Sequence, residues 1–270
     1  MDTGLAQKNV LVTGTSGGIG GEVARAFLRE GARVIAHYHT GQDRVVRQLE
    51  GCAGQWVALQ ADLTQENQVR QLFEDAHRLI GPVEILVANA GYWPPQDVAL
   101  VDMTLERWQR TIAVNLTGTF LCLREFIAGT RRHRLEQPSA VLIGSTAGLF
   151  GEAGHADYAS AKAALAFGLA RSAKNEIVRL ARHGRVNVVC PGWTLTPMVR
   201  DYAAHPERFR RVLQTMPLRK VARPSDVAAA VVFLASPKLS GHITGQILTV
   251  AGGMEGRVLF EPEEIDLSEA

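Results

Sequence analysis

The chain has 270 residues, a formal net charge of +2 at pH 7 and a hydrophobic fraction of 46%, which allows one large domain or two small ones and indicates no nucleic-acid partner. Cys52, Cys122 and Cys190 lie far apart with no CxxC or CxxH, so neither a disulfide framework nor a metal site is expected. The opening MDTGLAQKNV has no apolar signal core and no run approaches a membrane span, so the expected setting is a reducing cytoplasm without a membrane partner.

The first apolar run, 9–13, reads as a strand that feeds the glycine-rich stretch TGTSGGIGG and a helix over 19–30. Gly14, Gly18 and Gly20 allow a tight turn and close approach of backbone, with Ser16 and Ile19 in the same loop. A pyrophosphate is favoured where such a loop opens a helix, because free N–H groups and the helix dipole point at it. The spacing is GxxxGxG rather than GxGxxG. A second strand, 33–38, ends in His37-Tyr38-His39-Thr40, where a dinucleotide-binding chain reads the adenosine ribose. No carboxylate stands there, so a 2′-phosphate is not repelled. The reading tilts to NADP(H) with NAD(H) possible, since Tyr38 and His39 have no Arg or Lys beside them and only Arg44 follows on the next helix.

A helix over 42–51, a strand over 56–60, a helix over 65–80 and a strand over 84–89 continue the alternation. The segment 91–100, with Tyr92, Trp93 and Pro94-Pro95, follows the fourth strand and either walls a cleft or packs on its own helix. A helix over 104–129 precedes Arg131-Arg132-His133-Arg134, a short solvated basic run at the edge opposite the cleft. The strand 140–145 ends in Ser145, which places that hydroxyl at the carboxyl edge of the sheet, where open α/β sheets bind ligands.

The helix over 157–182 starts with Tyr158 and Lys162, four apart and so on one face. A neighbouring cation favours phenolate and is expected to lower the tyrosine pKa from about 10 toward useful acid–base work. His155, three before Tyr158, is a further candidate to face substrate. Small residues Ala159, Ala163, Ala166 and Gly168 suggest close approach of another helix. Strands over 185–190 and 246–250 and a helix over 224–236 complete the pattern. It predicts an α/β chain with one doubly wound parallel sheet of about seven strands flanked by helices, a single domain over 1–254 and a loose acidic tail over 255–270.

Thr13-Gly14…Gly18-Ile19-Gly20, Asp62-Leu63, Asn89-Ala90-Gly91, Asn115, Ser145, Tyr158, Lys162 and Pro191-Gly192 occur in that order. Over about residues 7–253 the chain resembles the short-chain dehydrogenase/reductase family, a Rossmann fold, and within it 3-oxoacyl-carrier-protein reductases, especially over 217–236 and 243–250. The resemblance implies an oxidoreductase moving a hydride between NADP(H) and a ketone or secondary alcohol, a small-molecule substrate and a homotetramer or homodimer. It makes Tyr158 the acid or base, has Lys162 lower its pKa and hold the nicotinamide ribose, and gives Ser145 the substrate oxygen. Asn115 would place water behind Lys162, or else satisfy backbone inside its helix. Asp62 would accept from the adenine amino group beside Leu63, or else cap the helix before Thr64. Asn89 would brace the fourth strand. Pro191, Gly192, Thr194 and Thr196 would line the nicotinamide end, with 193–216 as a substrate lid. Ala251 stands where many relatives have an acidic residue. Two alternatives are an NAD-dependent alcohol or sugar dehydrogenase and a cofactor-binding regulator without catalysis.

Overall fold

The computed structural model describes residues 1–196, 205–258 and 260–267. Its strands are β1 Asn9–Val12, β2 Arg33–Tyr38, β3 Trp56–Gln60, β4 Ile85–Ala88, β5 Ser139–Ile143, β6 Arg185–Pro191 and β7 Ile247–Val250. They form one parallel sheet in the order β3-β2-β1-β4-β5-β6-β7. The order reverses between β1 and β4, and that crevice at the strands' carboxyl ends is where such sheets take ligands.

Successive side chains on a strand point to opposite faces, and both faces here are apolar. Leu11, Ile35, Leu86, Ala140, Leu142, Val186 and Val188 meet one helical layer, made of α3 (Glu66–Leu79), α5 (Gly118–His133) and α8 (Ala170–Ile177). Val10, Val12, Val34, Ile85, Val87, Val141 and Val189 meet the other. That layer holds α1 (Gly18–Arg29), α2 (Gln42–Leu49) and α10 (Pro224–Ala235). Phe27 on α1 and Phe126 on α5 anchor the two layers, one on each face. Fully burying such a ring is worth about 1.5–3 kcal/mol.

Two long helices differ from the expected uninterrupted runs. The first is α4 (Leu105–Ile112), a π-helical turn at Ala113–Thr117, and α5. The second is α7 (Ala156–Ala163), a π-helical turn at Ala164–Leu169, and α8. Leu105–His133 is long and apolar enough to cross a membrane, against the sequence expectation. Here Leu121, Cys122, Leu123 and Phe126 are buried in the core of the sheet, which accounts for its apolarity. The basic residues 131–133 form its last turn, where cations complement the helix dipole, and Arg134 ends it at φ 50°. Ala166 turns inward and is buried, whereas Gly168 lies open, so the small residues do not share one outer face.

The tail is not loose through its described part. Ile265 is buried with Val212, Leu213, Met216 and Val221, and Trp193, Phe209, Met254, Phe260 and Leu267 pack around them. Val212 and Leu213 belong to α9 (Pro206–Leu213). The Gln214 Nε2 donates to the Phe260 carbonyl at 2.7 Å, and the Arg219 guanidinium lies 5.1 Å from the Phe260 ring centre. Residues 197–204 of the expected lid lie outside the described residues.

Candidate active site

The phosphate loop is built by glycines that no larger residue could replace. Gly14 takes φ 72°, a region that favours glycine, and a Cβ on Gly20 would strike the Gly14 carbonyl. The loop opens α1 at Gly17, with no side-chain cap and no acidic residue in the first turn. The first N–H groups of that helix are therefore open to an anion, and the loop fits a dinucleotide pyrophosphate. Ser16 takes part through its carbonyl, which accepts from Gln48 Nε2 at 3.4 Å.

Three side chains tie this loop to the strands around it. Asn89 Nδ2 donates to the Thr13 and Gly14 carbonyls at 2.9 and 3.3 Å. The Thr13 hydroxyl accepts from the Asn89 and Ala90 amides, each at 2.9 Å. Both carbonyl contacts of Asn89 tie the loop after β1 to the end of β4. The third is His37, which sequence reading grouped with the ribose-reading residues. It is 1% exposed; Gly14 N–H donates to its Nδ1 at 3.2 Å, and its Nε2 lies 3.0 Å from the Ala61 carbonyl. Those partners assign the neutral imidazole with its proton on Nε2. Burial pushes its pKa down to about 4. A histidine inside an apolar strand was the signal for this role, since a buried polar ring must be bonded.

Beyond His37 the adenosine end diverges. Tyr38 is buried in the core, while His39 and Thr40 are exposed. Exposed Arg44 lies back against Gly41. Asp62 Oδ1 accepts from the Thr64 amide at 2.9 Å and hydroxyl at 2.8 Å, a turn ahead of α3, whose own N-cap is Gln65 with no side-chain cap, and Gln68 Oε1 accepts from the Asp62 amide at 2.7 Å. Burial pushes the Asp62 carboxyl up, but the Thr64 bonds outweigh it and hold it below the usual carboxylate range. Leu63 is buried beside it.

At the other end of the crevice Ser145, Tyr158 and Lys162 converge. Ser145 caps α6 (Thr146–Phe150), its oxygen accepting from the Ala147 amide at 3.1 Å, so its O–H remains to donate. Lys162 is 3% exposed and donates to the Ile143 carbonyl at 2.8 Å. Its Nζ is 5.7 Å from the centre of the Tyr158 ring. Burial pulls the Lys162 ammonium down to about 8. Burial pushes the Tyr158 phenol up, opposed by the Ser145 hydroxyl, with Glu152 and Cys190 adding to the rise. The expected lowering of the phenol by Lys162 is thus absent, because the ammonium is turned to a backbone carbonyl and both groups are desolvated.

Asn115 sits in the first π-turn, fully buried. Its Nδ2 donates to the Tyr92 and Thr111 carbonyls at 2.8 and 3.0 Å, and its Oδ1 accepts from the Tyr92 amide at 3.1 Å. The side chain therefore fixes the start of the 91–100 segment. Gly91 faces both Asn115 and Lys162: a Cβ there would be 2.9 Å from Asn115 Oδ1 and 3.5 Å from Lys162 Nζ. Pro191 ends β6, and the Gly192 amide donates to Val250 at 2.9 Å. The Thr194 hydroxyl donates to the Gly192 carbonyl at 3.0 Å, and Thr196 is half-buried. Ala251 packs under this turn, where a Cβ on Gly192 would be 2.8 Å from the alanine methyl.

Several partners escaped sequence reading. Cys190 lies beneath the Ser145 turn, and burial pushes its thiol up to about 11, so it stays neutral there. Arg107 pairs with buried Asp157 at 3.1 Å, and the Thr111 hydroxyl donates to the same carboxylate at 2.7 Å. Arg107 also donates to the Gln96 and Gly154 carbonyls, which clamps the loops flanking α7 to α4. His155 does not face open cleft. It is 1% exposed, stacks on Trp93 with centroids 4.6 Å apart, and has Nε2 2.8 Å from the Pro94 carbonyl. The Trp93 indole N–H donates to Glu152 Oε1 at 3.2 Å.

A family profile described as enoyl-(acyl carrier protein) reductase matches residues 14–255. The chain belongs to the short-chain dehydrogenase/reductase family. It is similar to a 3-oxoacyl-[acyl-carrier-protein] reductase of Synechocystis, 35% identical over 93% of this chain and 98% of that one. It is also 37% identical to 3beta-hydroxysteroid dehydrogenase 1 of Eggerthella lenta, over 93% and 94% of the two chains. A solved structure of ligand-free aldohexose dehydrogenase from Thermoplasma acidophilum superposes with a TM-score of 0.83 at 29% identity, covering 96% of this chain and 98% of that one. The chain is an enzyme of the family that acts on CH–OH and C=O groups with an NAD(P)(H) cofactor.

The buried neutral His37 makes the loop acid-sensitive. The unfolded histidine takes its proton near pH 6.5 and the folded one only near 4, so the unfolded state binds more protons between those values. Stability falls as pH drops through that window, by about 3 kcal/mol at full extent. Urea unfolding at pH 7.5 and pH 5 should show wild type losing more stability than His37→Gln. Equal losses would remove His37 as the source.

Proposed function

We propose that the enzyme reduces a ketone, or oxidises the matching secondary alcohol, with NADP(H) as the preferred cofactor and Tyr158 as general acid and base. The observation that carries this reading is the convergence of the Ser145 hydroxyl and the buried Lys162 ammonium on Tyr158 at the carboxyl edge of the sheet. When bound, the nicotinamide supplies or accepts the hydride. Gly14, Ser16, Gly18, Ile19 and Gly20 would hold the pyrophosphate, and Asp62 and Leu63 the adenine. Tyr38 and His39 would flank the adenosine ribose. Pro191, Gly192, Thr194 and Thr196 would face the nicotinamide, whose ribose falls to Tyr158 and Lys162.

In reduction, the Ser145 O–H holds the substrate oxygen as negative charge develops on it. Tyr158 gives its proton to that oxygen, and a phenol kept protonated by burial is in the right state to do so. Lys162, still largely protonated at neutral pH, would stabilise the phenolate left behind once it turns from the Ile143 carbonyl toward the phenol oxygen. Asn115 contributes by holding the Tyr92 backbone, which lines the cleft beside Gly91. A sugar or alcohol dehydrogenase using NAD(H) is the second reading, supported by the likeness to aldohexose dehydrogenase. A regulator without catalysis would have no use for the assembled Ser145–Tyr158–Lys162 set.

We place the active form as a homotetramer in a reducing cytoplasm, where all the cysteines are free thiols. Exposed apolar side chains support that assembly: Phe120 and Phe167 on the two long helices, and Phe233 on α10 with Leu248 on edge strand β7. Two self-complementary faces on one protomer generate a tetramer by two-fold operations.

Tyr158→Phe should lower kcat by about 10²–10⁴ with cofactor affinity nearly unchanged, and near-normal turnover would overturn the assignment. Titration should give tighter binding of NADPH than NADH, with the gap narrowed in Arg44→Ala; tighter NADH binding would reverse the cofactor preference. Light scattering at micromolar concentration should give the mass of four protomers, and Phe167→Asp should reduce it. A monomeric wild type would refute the assembly.

A further inference from the structure

A carboxylate bonded to Trp93 has no part in the reaction described above. Glu152 sits on the turn between α6 and α7, half-buried, with one oxygen committed and one not. Oε1 accepts from the Trp93 indole at 3.2 Å. The same oxygen stands 3.5 Å from His155 Nδ1, as does Asp97 Oδ1 from the other side. That ring nitrogen is buried and makes no hydrogen bond, while Nε2 is directed at the Pro94 carbonyl. Oε2 accepts no hydrogen bond from any described residue.

Trp93, which donates to this carboxylate, meets Trp193, the residue after Gly192, so Glu152 borders the substrate end of the cleft. Its charge is also among the causes that push the Tyr158 phenol up, and its own carboxyl is pushed up by burial. The rest of that end is aromatic. Trp93 stacks flat on His155, with 14° between the planes, and Trp193 meets Trp93 edge-on at 6.5 Å. The nearby cations are spent elsewhere. Arg107 is held by Asp157, and Arg110 lies over the Tyr92 ring at 4.9 Å.

We propose that Glu152 selects the substrate: its free oxygen accepts a hydrogen bond from a second hydroxyl on a neutral, alicyclic alcohol or ketone whose ring lies against Trp93 and Trp193. Apolar ring C–H groups suit indole, and a hydroxyl donor suits a carboxylate acceptor. A substrate carrying its own carboxylate at that place meets like charge and is disfavoured. The proposal rests on the hydride-transfer reading above and narrows it to hydroxylated ring substrates rather than acidic ones.

The test compares cyclohexanol, the cyclohexanediols and 4-hydroxycyclohexanecarboxylate with NADP⁺ and with NAD⁺. In wild type the best diol should exceed cyclohexanol in kcat/KM by about 10-fold or more, as a hydrogen bond to a charged acceptor provides. The carboxylate should fall below cyclohexanol. Glu152→Gln, which keeps the shape and an acceptor for Trp93, and Glu152→Leu should move both ratios toward one, in opposite directions. Ratios that are the same in wild type and both variants would overturn the role of Glu152 while leaving the oxidoreductase reading in place. The second measurement is quenching of tryptophan fluorescence by the diols with NADP⁺ present. Saturable quenching weakened about 10-fold in Glu152→Leu, without turnover in wild type, would keep the binding role and remove the reading of these ring alcohols as reactants. Neither turnover nor quenching would remove both.

Discussion

Where parallel strands stop, their last backbone groups leave the ladder and must find other partners before they can be buried. That constraint shapes the whole ligand-facing edge. The carbonyls of Thr13 and Gly14 are taken by Asn89, and the carbonyl of His37 accepts from the Thr15 amide at 2.9 Å and hydroxyl at 2.7 Å. The carbonyl of Ala61 is taken by the His37 ring, and that of Ile143 by Lys162. Each bond ties a strand end to another element, a neighbouring strand or its loop in the first three cases and helix α7 in the last. The loops that would meet cofactor and substrate are therefore held by the sheet itself, and a rigid edge is what positioning to within fractions of an ångström requires.

The two π-turns serve the same end. Each inserts a wider turn into a long helix, a device frequent at functional sites. Ala113–Thr117 carries Asn115, and Ala164–Leu169 begins two residues after Lys162. Both side chains face Gly91, which has no Cβ to block either. The glycine after β4 is thus explained by the two long helices that approach it, rather than by its own turn.

The parallel sheet, its flanking helices and the places of Ser145, Tyr158 and Lys162 on their elements were legible because they rest on local patterns, whereas the strand order was not among the expectations. Apolar runs on both faces mean buried strands, spacing of four means one helix face, and a serine at a strand end means the sheet edge. The partners of those residues were not legible. Arg107 and Asp157 are 50 residues apart, and no local pattern joins them. His37 lay in view, but its strand-end place suggested ribose contact, whereas its burial and two backbone partners make it part of the scaffold. The tail misled through composition. Its acidic residues suggest solvent, while Phe260 and Ile265 decide its course by packing on α9. The π-turns leave no trace in a sequence read for a period of 3.6.

The electrostatics of the proposed catalytic set follow from burial rather than from pairing. Desolvation moves the Tyr158 phenol and the Lys162 ammonium toward their neutral forms, upward for one and down to about 8 for the other. At neutral pH the phenol keeps its proton and the ammonium mostly keeps its charge, a state suited to protonating a carbonyl oxygen. The reverse reaction needs phenolate, which Lys162 can favour only if it turns from the Ile143 carbonyl toward the phenol oxygen. Cys190 does not compete for it, since its thiol is held neutral by a value near 11. Glu152 works against phenolate as well, because its negative charge raises the phenol further. A substrate hydroxyl donating to Glu152 spreads that charge and eases the opposition. With the proposed roles of Glu152 and Tyr158, choice of substrate and transfer of the proton would be coupled through one carboxylate.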